Sequence, residues 1–179
     1  MLSKLCALMS LPQGSPQTWL SSGGATCEWP QLQRSLERAH AQFDLVPHPH
    51  SATSLESARV ANVSAERLAK PVILDDREGH FLMAVVPASR HLDMGKVRKD
   101  AKIWQLTHEA DLARLFKDCE LGALPALGEP YGMNMLVDPQ LTRQRDIYLE
   151  AGDHENLVHM RMEQYLELVP DAEVCELCH

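Results

Sequence analysis

The most informative absences in this sequence are those of long apolar segments and of a cysteine framework. No uninterrupted apolar stretch approaches the ~20 residues that a membrane-spanning helix needs, and the short apolar run near the N-terminus is too interrupted for a signal peptide. The five cysteines are an odd number and are scattered except for one pair, so no disulfide framework is predicted. We therefore expect a protein without a membrane partner in a reducing, cytoplasmic setting.

The chain also lacks the motifs of several large enzyme classes. It has no nucleophile elbow, no phosphate-binding glycine loop and no His-Glu-x-x-His metal motif. His48 and His50 stand beside Ser51, but no third group for nucleophilic catalysis is identifiable, and we interpret both histidines as polar surface. His154 follows an acid in a glycine turn, which makes it a better site candidate than the other histidines.

Basic residues are in the minority, since 17 Lys and Arg stand against 25 Asp and Glu and give a formal net charge of −8. This balance excludes a protein that coats nucleic acid nonspecifically, because such binding neutralises many phosphates. We expect no DNA partner, whereas contact with one end of an RNA stays compatible. The plausible phosphate-facing patch consists of Arg90, Lys96, Arg98, Lys99 and Lys102. A solvated helix face is the alternative interpretation of this segment.

A length of 179 residues with 45% hydrophobic content predicts one domain with its own core. Short strands alternate with short helices, which predicts a mixed α/β (α+β) fold and not a doubly wound one. We expect a loosely ordered leader over residues 1–30, the domain over 31–170 and an acidic tail over 171–179. Helices are predicted around residues 31–43, 54–63, 92–97, 107–116, 139–143 and 163–169. Strands are predicted around residues 45–49, 67–75, 81–87, 103–106, 133–137, 146–150 and 156–162.

Lys70 is the unusual residue of the predicted hairpin formed by residues 67–75 and 81–87. It stands between Ala69 and Pro71 at the start of an apolar, β-branched run. Because burying an unpaired charge is costly, such a lysine either reaches the surface or binds an anion or a carbonyl group. Spacing alone favours the surface interpretation.

The segment from Leu121 to Gly128 contains Gly and Pro but is too apolar for an ordinary solvated turn. Apolar loops of small residues often line a pocket, because glycine lets a ligand approach the backbone closely. A tight crossover packed against the core explains the same composition equally well.

The sequence closes with Cys175-Glu-Leu-Cys178-His179, which has the spacing of c-type haem attachment. Haem is disfavoured because we find no export signal and no chain beyond the histidine to build a haem pocket. Two thiols and an imidazole could bind zinc, but a closed site needs a fourth ligand. We therefore predict a frayed acidic tail, no metal and no cofactor.

Six short motifs occur in an order that resembles one known family. They are His-x-x-Thr (His50–Thr53), Ala-Lys-x-Val-Ile-Leu (Ala69–Leu74), Ala-Val-Val-Pro-Ala (Ala84–Ala88), Leu-Asp-x-x-Lys-Val (Leu92–Val97), Gly-x-x-Pro (Gly122–Pro125) and Ile-Tyr-x-x-x-Gly (Ile147–Gly152). Over about residues 31–170 the chain resembles the YbaK family, the free-standing relatives of the editing domain inserted in bacterial prolyl-tRNA synthetases.

The resemblance implies a fold, an activity and a site. The fold is a mixed, partly barrel-like sheet wrapped by helices. The activity is hydrolysis in trans of a mischarged aminoacyl-tRNA bound by its 3′-terminal end, possible partners including an aminoacyl-tRNA synthetase. Lys70 matches the working lysine of the family motif. The residues expected to bind substrate are His50, Thr53, Gly122, Pro125, Gly152, Asp153 and His154, and those expected to contact tRNA are Arg90, Lys96, Arg98 and Lys99.

The chemistry of an aminoacyl ester fits this reading. The ester is already activated, so the protein needs mainly to position it and to stabilise the developing oxyanion. Under this hypothesis Lys70 holds the terminal phosphate or the ester carbonyl, and backbone N–H groups at Gly122 supply the oxyanion site. Small residues in the loop (Gly122, Ala123, Ala126 and Gly128) would admit Ala, Ser, Thr or Cys esters and exclude larger ones.

Two hypotheses from other classes stay open. A catalytically silent module could bind tRNA or a synthetase through the same pocket. A metal or redox protein could act through Cys175, Cys178 and His179. Neither explains the ordered occurrence of Lys70, Gly122 and Gly152, and the deacylase is therefore the preferred hypothesis.

Overall fold

The computed structural model describes residues 30–178. The leader expected over residues 1–30 therefore lies outside the described residues except for Pro30, and so does His179. Over the described range, an eight-stranded sheet with parallel and antiparallel pairs is accompanied by five short α-helices. The mixed α/β fold class with short helices around a mixed sheet is confirmed.

The elements follow the order that the hydrophobic periodicity predicts. The strands are β1 (Asp44–Pro47), β2 (Leu68–Asp75), β3 (Phe81–Pro87), β4 (Gln105–Leu106), β5 (Asn134–Val137), β6 (Asp146–Glu150), β7 (Asn156–Arg161) and β8 (Glu173–Val174). The helices are α1 (Pro30–Arg38), α2 (Ser54–Val60), α3 (Glu109–Leu115), α4 (Pro139–Thr142) and α5 (Met162–Leu168), with 3-10 helices at Met94–Lys96 and Glu129–Tyr131. In the described part of the chain, none of the helices has the length and apolarity needed to cross a membrane.

The predicted hairpin forms the centre of the sheet. β2 and β3 pair antiparallel from Ala69 opposite Pro87 to Asp75 opposite Phe81. The strand order is β1-β7-β6-β2-β3-β5-β8, and β4 also pairs with β2. β2 pairs with β6 in parallel, as β3 does with β5. β1 carries a proline and lies at one edge, as its composition predicts.

Alternation along β2 divides its side chains between two faces of the sheet. Ala69 and Ile73 belong to the main core, which α1, α5 and the 123–127 loop cover. Leu68 and Leu74 belong to two smaller apolar clusters. By the same alternation, Lys70 shares the face of the smaller clusters and not that of the main core.

Three predicted helices differ in detail from the observed ones. α1 ends at Arg38, well before Phe43, because His40 has a positive φ of 49° that no helix continues through. The segment around residues 92–97 forms only a 3-10 turn, capped by Asp93. α3 begins at Glu109, two residues later than predicted, with His108 as its N-cap, and the hydroxyl group of Thr107 is buried without a partner among the described residues.

The prediction of a frayed C-terminal tail is wrong for the described residues. β8 pairs in parallel with β5, and Leu177 has no exposed surface. The physical reason is Asp138 at the end of β5, whose carboxylate accepts the backbone N–H groups of Leu177 and Cys178 at 2.9 and 3.2 Å. The acidic composition of residues 171–179 indicated solvent exposure. The buried acceptor Asp138 and the buried side chain of Leu177 nevertheless attach this segment to the sheet.

Candidate functional site

Lys70 occupies a partly desolvated position in β2. It lies opposite Val86 of β3, is half-buried, and its ammonium group donates a hydrogen bond to the backbone carbonyl of Arg90. Burial lowers the pKa of Lys70, and the electrostatic influence of Cys178 acts in the opposite direction. A cation in such surroundings attracts an anion or a carbonyl dipole more strongly than it would in water.

Gly122 lies at a corner where three segments of the chain meet. Its φ of 97° is in the left-handed region that favours glycine. A Cβ atom there would lie 3.1 Å from Cε1 of His154 and 3.4 Å from the carbonyl oxygen of Ala52. The loop after α3, the segment before α2 and the turn after β6 therefore approach so closely that even a Cβ atom at this position would require its neighbours to shift by a few tenths of an ångström.

The turn after β6 is attached to the Gly122 loop by two hydrogen bonds. The N–H of Glu120 donates to the carbonyl of Gly152 at 2.8 Å, and Nε2 of His154 donates to the carbonyl of Leu121 at 2.9 Å. Gly152 has a φ of 121° and His154 a φ of 57°, so both residues adopt conformations that most side chains avoid. Such strain persists only where the surroundings enforce it.

The His-x-x-Thr segment borders the same corner. The ring of His50 lies 5.5 Å from that of His154, and its Nε2 is 3.7 Å from a carboxylate oxygen of Glu120. The hydroxyl group of Thr53 accepts the N–H of Glu56 at 3.2 Å and thereby caps α2. His50 is exposed at the rim, whereas the bonded role of Thr53 is structural.

Asp153 serves the turn itself. Its carboxylate accepts the N–H groups of Glu155 and Asn156 at 3.0 and 2.9 Å and the side-chain amide of Asn156 at 2.7 Å. These three bonds fix the turn that presents His154. They also occupy the carboxylate that sequence analysis assigned to substrate.

Pro125 and most of the Gly122 loop pack into the protein. Ala123 and Pro125 are buried, and Leu124 and Ala126 belong to the main core. A Cβ atom on Gly128 would lie 2.7 Å from both the carbonyl oxygen of Met133 and Cγ of Met135. The packed-crossover interpretation therefore applies to residues 123–128, and their smallness has a packing cause. Leu121 and Gly122 are the exposed residues of the loop.

The structure thus brings together His50, Gly122, Gly152 and His154, with Thr53 close in sequence to this group. The bonded contact of Lys70 is instead with Arg90, on the side of the C-terminal segment. Cavities of about 380, 250 and 250 Å³ lie beside α1, beside the end of α5 and beside β1, and neither Lys70 nor Gly122 lines these three. Participation of Lys70 in the site stays a prediction.

The predicted tRNA-contacting residues lie against the C-terminal segment. Lys96 donates to the carbonyl of Cys178 at 2.6 Å, and Lys99 forms an ion pair with Glu173, whose hydrogen bond raises the pKa of Lys99. Arg98 is exposed, and Arg90 provides the carbonyl bonded to Lys70. Part of this basic charge is therefore balanced within the protein, and contact with tRNA stays a prediction.

The surroundings of the tail thiols favour their protonated form. Sγ of Cys178 donates to Asp138 at 2.9 Å, and burial, assisted by this bond, raises the pKa of Cys178 to about 12. Burial likewise raises the pKa of Cys175. Because the thiolate is the metal ligand and the nucleophile, these surroundings disfavour the metal and redox hypothesis. Its third residue, His179, lies outside the described residues.

A second group with metal-ligand character lies in the β2–β3 turn. Donor atoms of Asp76, Glu78 and His80 lie within 4.8 Å of one another. Lys102 already occupies the space between them, since its ammonium group bonds to Asp76 and lies 2.8 Å from Nδ1 of His80. The bound lysine supplies the positive charge that a metal ion would otherwise provide.

A cluster of polar residues that the sequence motifs did not predict is buried beneath the corner. Glu150 ends β6 with no exposed surface, and neither of its carboxylate oxygens has a hydrogen-bond partner among the described residues. His48 is also buried, so its assignment to the surface is wrong. Ser51 and Ser57 complete the cluster with a bond of 2.7 Å between their hydroxyl oxygens. The sequence signal that could have revealed this cluster is Glu150 itself, an acidic residue at the end of the apolar strand β6 and directly before the glycine turn.

Comparisons with known proteins agree with this architecture. A family model described as the aminoacyl-tRNA editing domain matches residues 48–168. The crystal structure of a proposed trans-editing enzyme for prolyl-tRNA synthetase is 19% identical, with a TM-score of 0.74 over 87% of this chain and 99% of that chain. A scaffold protein from computational epitope grafting is 20% identical, with the same TM-score and coverage.

A proposed signal transduction protein from Marinobacter aquaeolei VT8 is 19% identical, with a TM-score of 0.64 over 83% of this chain and 30% of that chain. No curated protein matches the chain at a significant level. At these identities the solved structures show the fold alone, whereas the family model covers more than half of the chain, including Lys70, the Gly122 loop and the Gly152 turn. The chain therefore belongs to the aminoacyl-tRNA editing domain family.

Proposed function

We propose that this chain hydrolyses, in trans, mischarged aminoacyl-tRNA that carries a small amino acid of the Ala, Ser, Thr or Cys type. Membership of the editing-domain family supports an aminoacyl-tRNA deacylase. The observation that carries the proposal is the corner at Gly122, where an exposed backbone without a side chain faces His50 and His154. Similarity in fold to the proposed trans-editing enzyme supports action beside a synthetase.

The reaction needs a positioned ester, a water molecule and stabilisation of negative charge. Water oxygen bonds to the ester carbonyl carbon, the bond to the ribose oxygen breaks, and the proton that water loses is transferred to the departing ribose oxygen. Backbone N–H groups of the Gly122 loop would stabilise the oxyanion, and Lys70 would hold the terminal phosphate or the carbonyl. The products are the free amino acid and tRNA with its terminal hydroxyl group restored.

The preference for a small aminoacyl group rests on the narrowness of the corner. Even a Cβ atom on Gly122 would contact Cε1 of His154 at 3.1 Å. Buried residues 123–128 support this loop from behind, so it has little freedom to withdraw from a larger side chain. Discrimination by size in such a site amounts to roughly 10–200-fold per methylene group.

The catalytically silent binding module is the second candidate. The observation that favours it is the hydrogen bond from the Lys70 ammonium group to the carbonyl of Arg90, which already engages the lysine within the protein. In that case the chain would bind the tRNA end without hydrolysing the aminoacyl ester. Replacing Lys70 would then weaken the binding of tRNA, with no catalytic activity to lose.

Hydrolysis of alanyl-, seryl-, cysteinyl- and threonyl-tRNA mischarged on a noncognate tRNA separates the two candidates. We expect the unaltered protein to hydrolyse at least one of these esters, and Lys70→Ala to lower its kcat by ~100-fold or more. Lys102→Ala is the matched control, because this lysine is also partly buried but bonds to Asp76. If every ester survives while tRNA still binds, the silent module replaces the deacylase.

A further inference from the structure

Three of the bases that sequence analysis assigned to tRNA lie close together, between β3 and β4. Residues 94–99, called the basic segment below, contain no acid and three bases, which are Lys96, Arg98 and Lys99. Lys102, the next base along the chain, is held by Asp76 and does not belong to this group. A group of bases without acids attracts the phosphate backbone of a nucleic acid.

The two lysines of the basic segment are already paired with acids from the end of the chain. Glu173 forms an ion pair with Lys99, and a carboxylate oxygen of Glu176 lies 3.9 Å from the ammonium nitrogen of Lys96. Each lysine therefore holds a carboxylate of this protein at the position where a phosphate oxygen of RNA would bind. The C-terminal segment, defined as residues 173–178, thus lies across the surface that the sequence assigns to RNA.

The backbone of the C-terminal segment is attached independently of these two glutamates. The N–H of Cys175 donates to the carbonyl of Val137 at 3.1 Å, and the N–H of Asp93 donates to the carbonyl of Leu177 at 2.7 Å. The N–H of Leu177 donates to Asp138 at 2.9 Å, and the side chain of Leu177 is buried. The two carboxylates can therefore leave their lysines while the segment stays in place.

The same surface continues to Lys70. Cys178 forms a β-bridge with Leu92, and its carbonyl accepts a hydrogen bond from Lys96 at 2.6 Å. Two residues before Leu92, the carbonyl of Arg90 accepts the ammonium group of Lys70. An RNA strand bound at Lys70 would therefore extend past the basic segment and meet the C-terminal segment there.

The two ion pairs are weak enough to be exchanged. The side chain of Glu173 is 55% exposed and that of Glu176 is 81% exposed. Ion pairs with an exposed partner contribute little to stability, because water screens them and two long side chains must be held in one geometry. A phosphate oxygen replaces a carboxylate oxygen without leaving the lysine unpaired, and RNA releases a counterion as the contact forms.

We propose that Glu173 and Glu176 are built-in competitors of tRNA: each carboxylate holds a lysine of the basic segment until a backbone phosphate of the tRNA acceptor end replaces it. The consequence is selectivity. RNA that reaches only the basic segment gains little from the exchange, whereas tRNA that also places its ester at the Gly122 corner makes further contacts. The inference deepens the proposed function and rests on it for the identity of the nucleic acid.

Binding of uncharged tRNA to the full chain tests the competition directly. Glu173→Gln combined with Glu176→Gln keeps the size of both side chains and removes their charge, and we expect the Kd to fall about fivefold. Glu163→Gln combined with Glu167→Gln is the control, because it makes the same change in net charge at exposed positions of α5. We expect the control to stay within about twofold of the unaltered protein. Equal gains in the two double variants would overturn the proposal.

The salt dependence of the same Kd provides a second measure. In the unaltered protein, a displaced carboxylate takes up a cation, which offsets the cation that RNA releases to the lysine. Without the two carboxylates this offset disappears, so log K should fall more steeply with log salt, by about 0.7 for each lysine. The control double variant should keep the slope of the unaltered protein. Parallel slopes for all three proteins would contradict the exchange.

Lys99 tests whether Glu173 and RNA compete for one group. We expect Lys99→Ala to weaken tRNA binding, and Glu173→Gln to bring no gain when it is added to Lys99→Ala. Should Lys99→Ala fail to fold, Lys99→Gln retains most of the side chain and allows the same comparison. If Glu173→Gln improves binding equally with and without Lys99, the carboxylate does not act through this lysine and the proposal is wrong.

Failure of the proposed function would look different, because binding of uncharged tRNA requires no hydrolysis. A protein that hydrolyses no ester, but binds tRNA more tightly after the two glutamates are neutralised, loses the deacylase and keeps the competition. A protein that hydrolyses an ester with the same KM in both double variants keeps the deacylase and loses the competition. Absence of any tRNA binding by the unaltered protein and by both double variants would overturn the competition.

Discussion

Asp138 and Glu150 are both buried carboxyl groups at the ends of strands, 1% and 0% exposed, yet their surroundings are opposite. Asp138 accepts four hydrogen bonds, three from the N–H groups of Gln140, Leu177 and Cys178 and one from the thiol of Cys178. Neither carboxylate oxygen of Glu150 has a hydrogen-bond partner within the described range, and the Ser57 hydroxyl group, His48 and His154 influence its pKa. The carboxylate of Asp138 is therefore fully hydrogen-bonded within the protein, whereas that of Glu150 is not.

The difference appears in the direction of the two pKa shifts. Burial alone would raise the pKa of Asp138, but donation from the Cys178 thiol and the backbone N–H groups outweighs it and lowers the pKa. Burial raises the pKa of Glu150, and the opposing influences of the Ser57 hydroxyl group, His48 and His154 do not reverse this shift. Donors that saturate a buried carboxylate keep it ionised, whereas burial with few donors favours the protonated carboxyl group.

Asp138→Asn should produce the largest loss of stability. The asparagine amide would present N–H groups to backbone N–H donors, leaving buried groups unpaired, and we expect a loss of about 3 kcal/mol in the free energy of unfolding. The stabilisation by Asp138 is present above its unfolded pKa of 3.8 and is lost as pH falls. Denaturant unfolding at pH 7 and at a series of pH values below 3.8 measures both effects. A variant as stable as the unaltered protein at pH 7 would contradict the comparison.

Gly122→Ala should produce the next largest effect, and Gly79→Ala is its control. Both glycines have a φ near +95°, 97° and 92° respectively, but a Cβ atom on Gly79 meets nothing within 4 Å. We expect Gly79→Ala to cost about 1 kcal/mol through backbone strain and Gly122→Ala about 1 kcal/mol more through contact with His154. Deacylation should fall with Gly122→Ala and be unchanged with Gly79→Ala. Equal effects of the two changes would show that the corner is not tightly packed.

Cys178→Ala should have a smaller effect on stability. It removes one of the four hydrogen bonds to Asp138 and leaves the three backbone donors, so we expect a loss of about 1 kcal/mol in denaturant unfolding. Glu176→Gln is the control in the same segment, since its carboxylate is exposed and 3.9 Å from Lys96. An exposed pair of this kind contributes about 0–1 kcal/mol. A larger loss from Glu176→Gln than from Cys178→Ala would reverse this ranking.

The order of strands and helices could be predicted from the sequence because each element has a local signature. β-branched runs around a glycine turn predicted the β2–β3 hairpin, and the prolines at positions 47 and 49 were compatible with an edge strand or a loop for the segment that forms β1. Thr53 as an N-cap of α2 was also predictable, because its hydroxyl group acts on a backbone N–H three residues away. These are interactions between neighbours in sequence, which a pattern can report.

The buried polar groups could not be predicted, because their surroundings come from distant segments. Asp138 is saturated by a segment about 40 residues later, and Glu150 faces His48 about 100 residues earlier. Composition indicated that both the acidic tail and the His48 segment were exposed. Their burial depends on pairings such as β5 with β8, which no local spacing records.

The most direct test of the account is a double-mutant cycle between Lys70 and Gly122, measured as single-turnover hydrolysis of the preferred aminoacyl-tRNA. Lys70→Ala and Gly122→Ala should each slow the reaction, and the double variant should lose less than the sum of the two, because both residues would act on one bound ester. Losses that add to within ~0.5 kcal/mol would mean that the two positions do not share a site. If Lys70→Ala hydrolyses the ester at the rate of the unaltered protein, Lys70 has no part in the reaction and the proposed site is wrong.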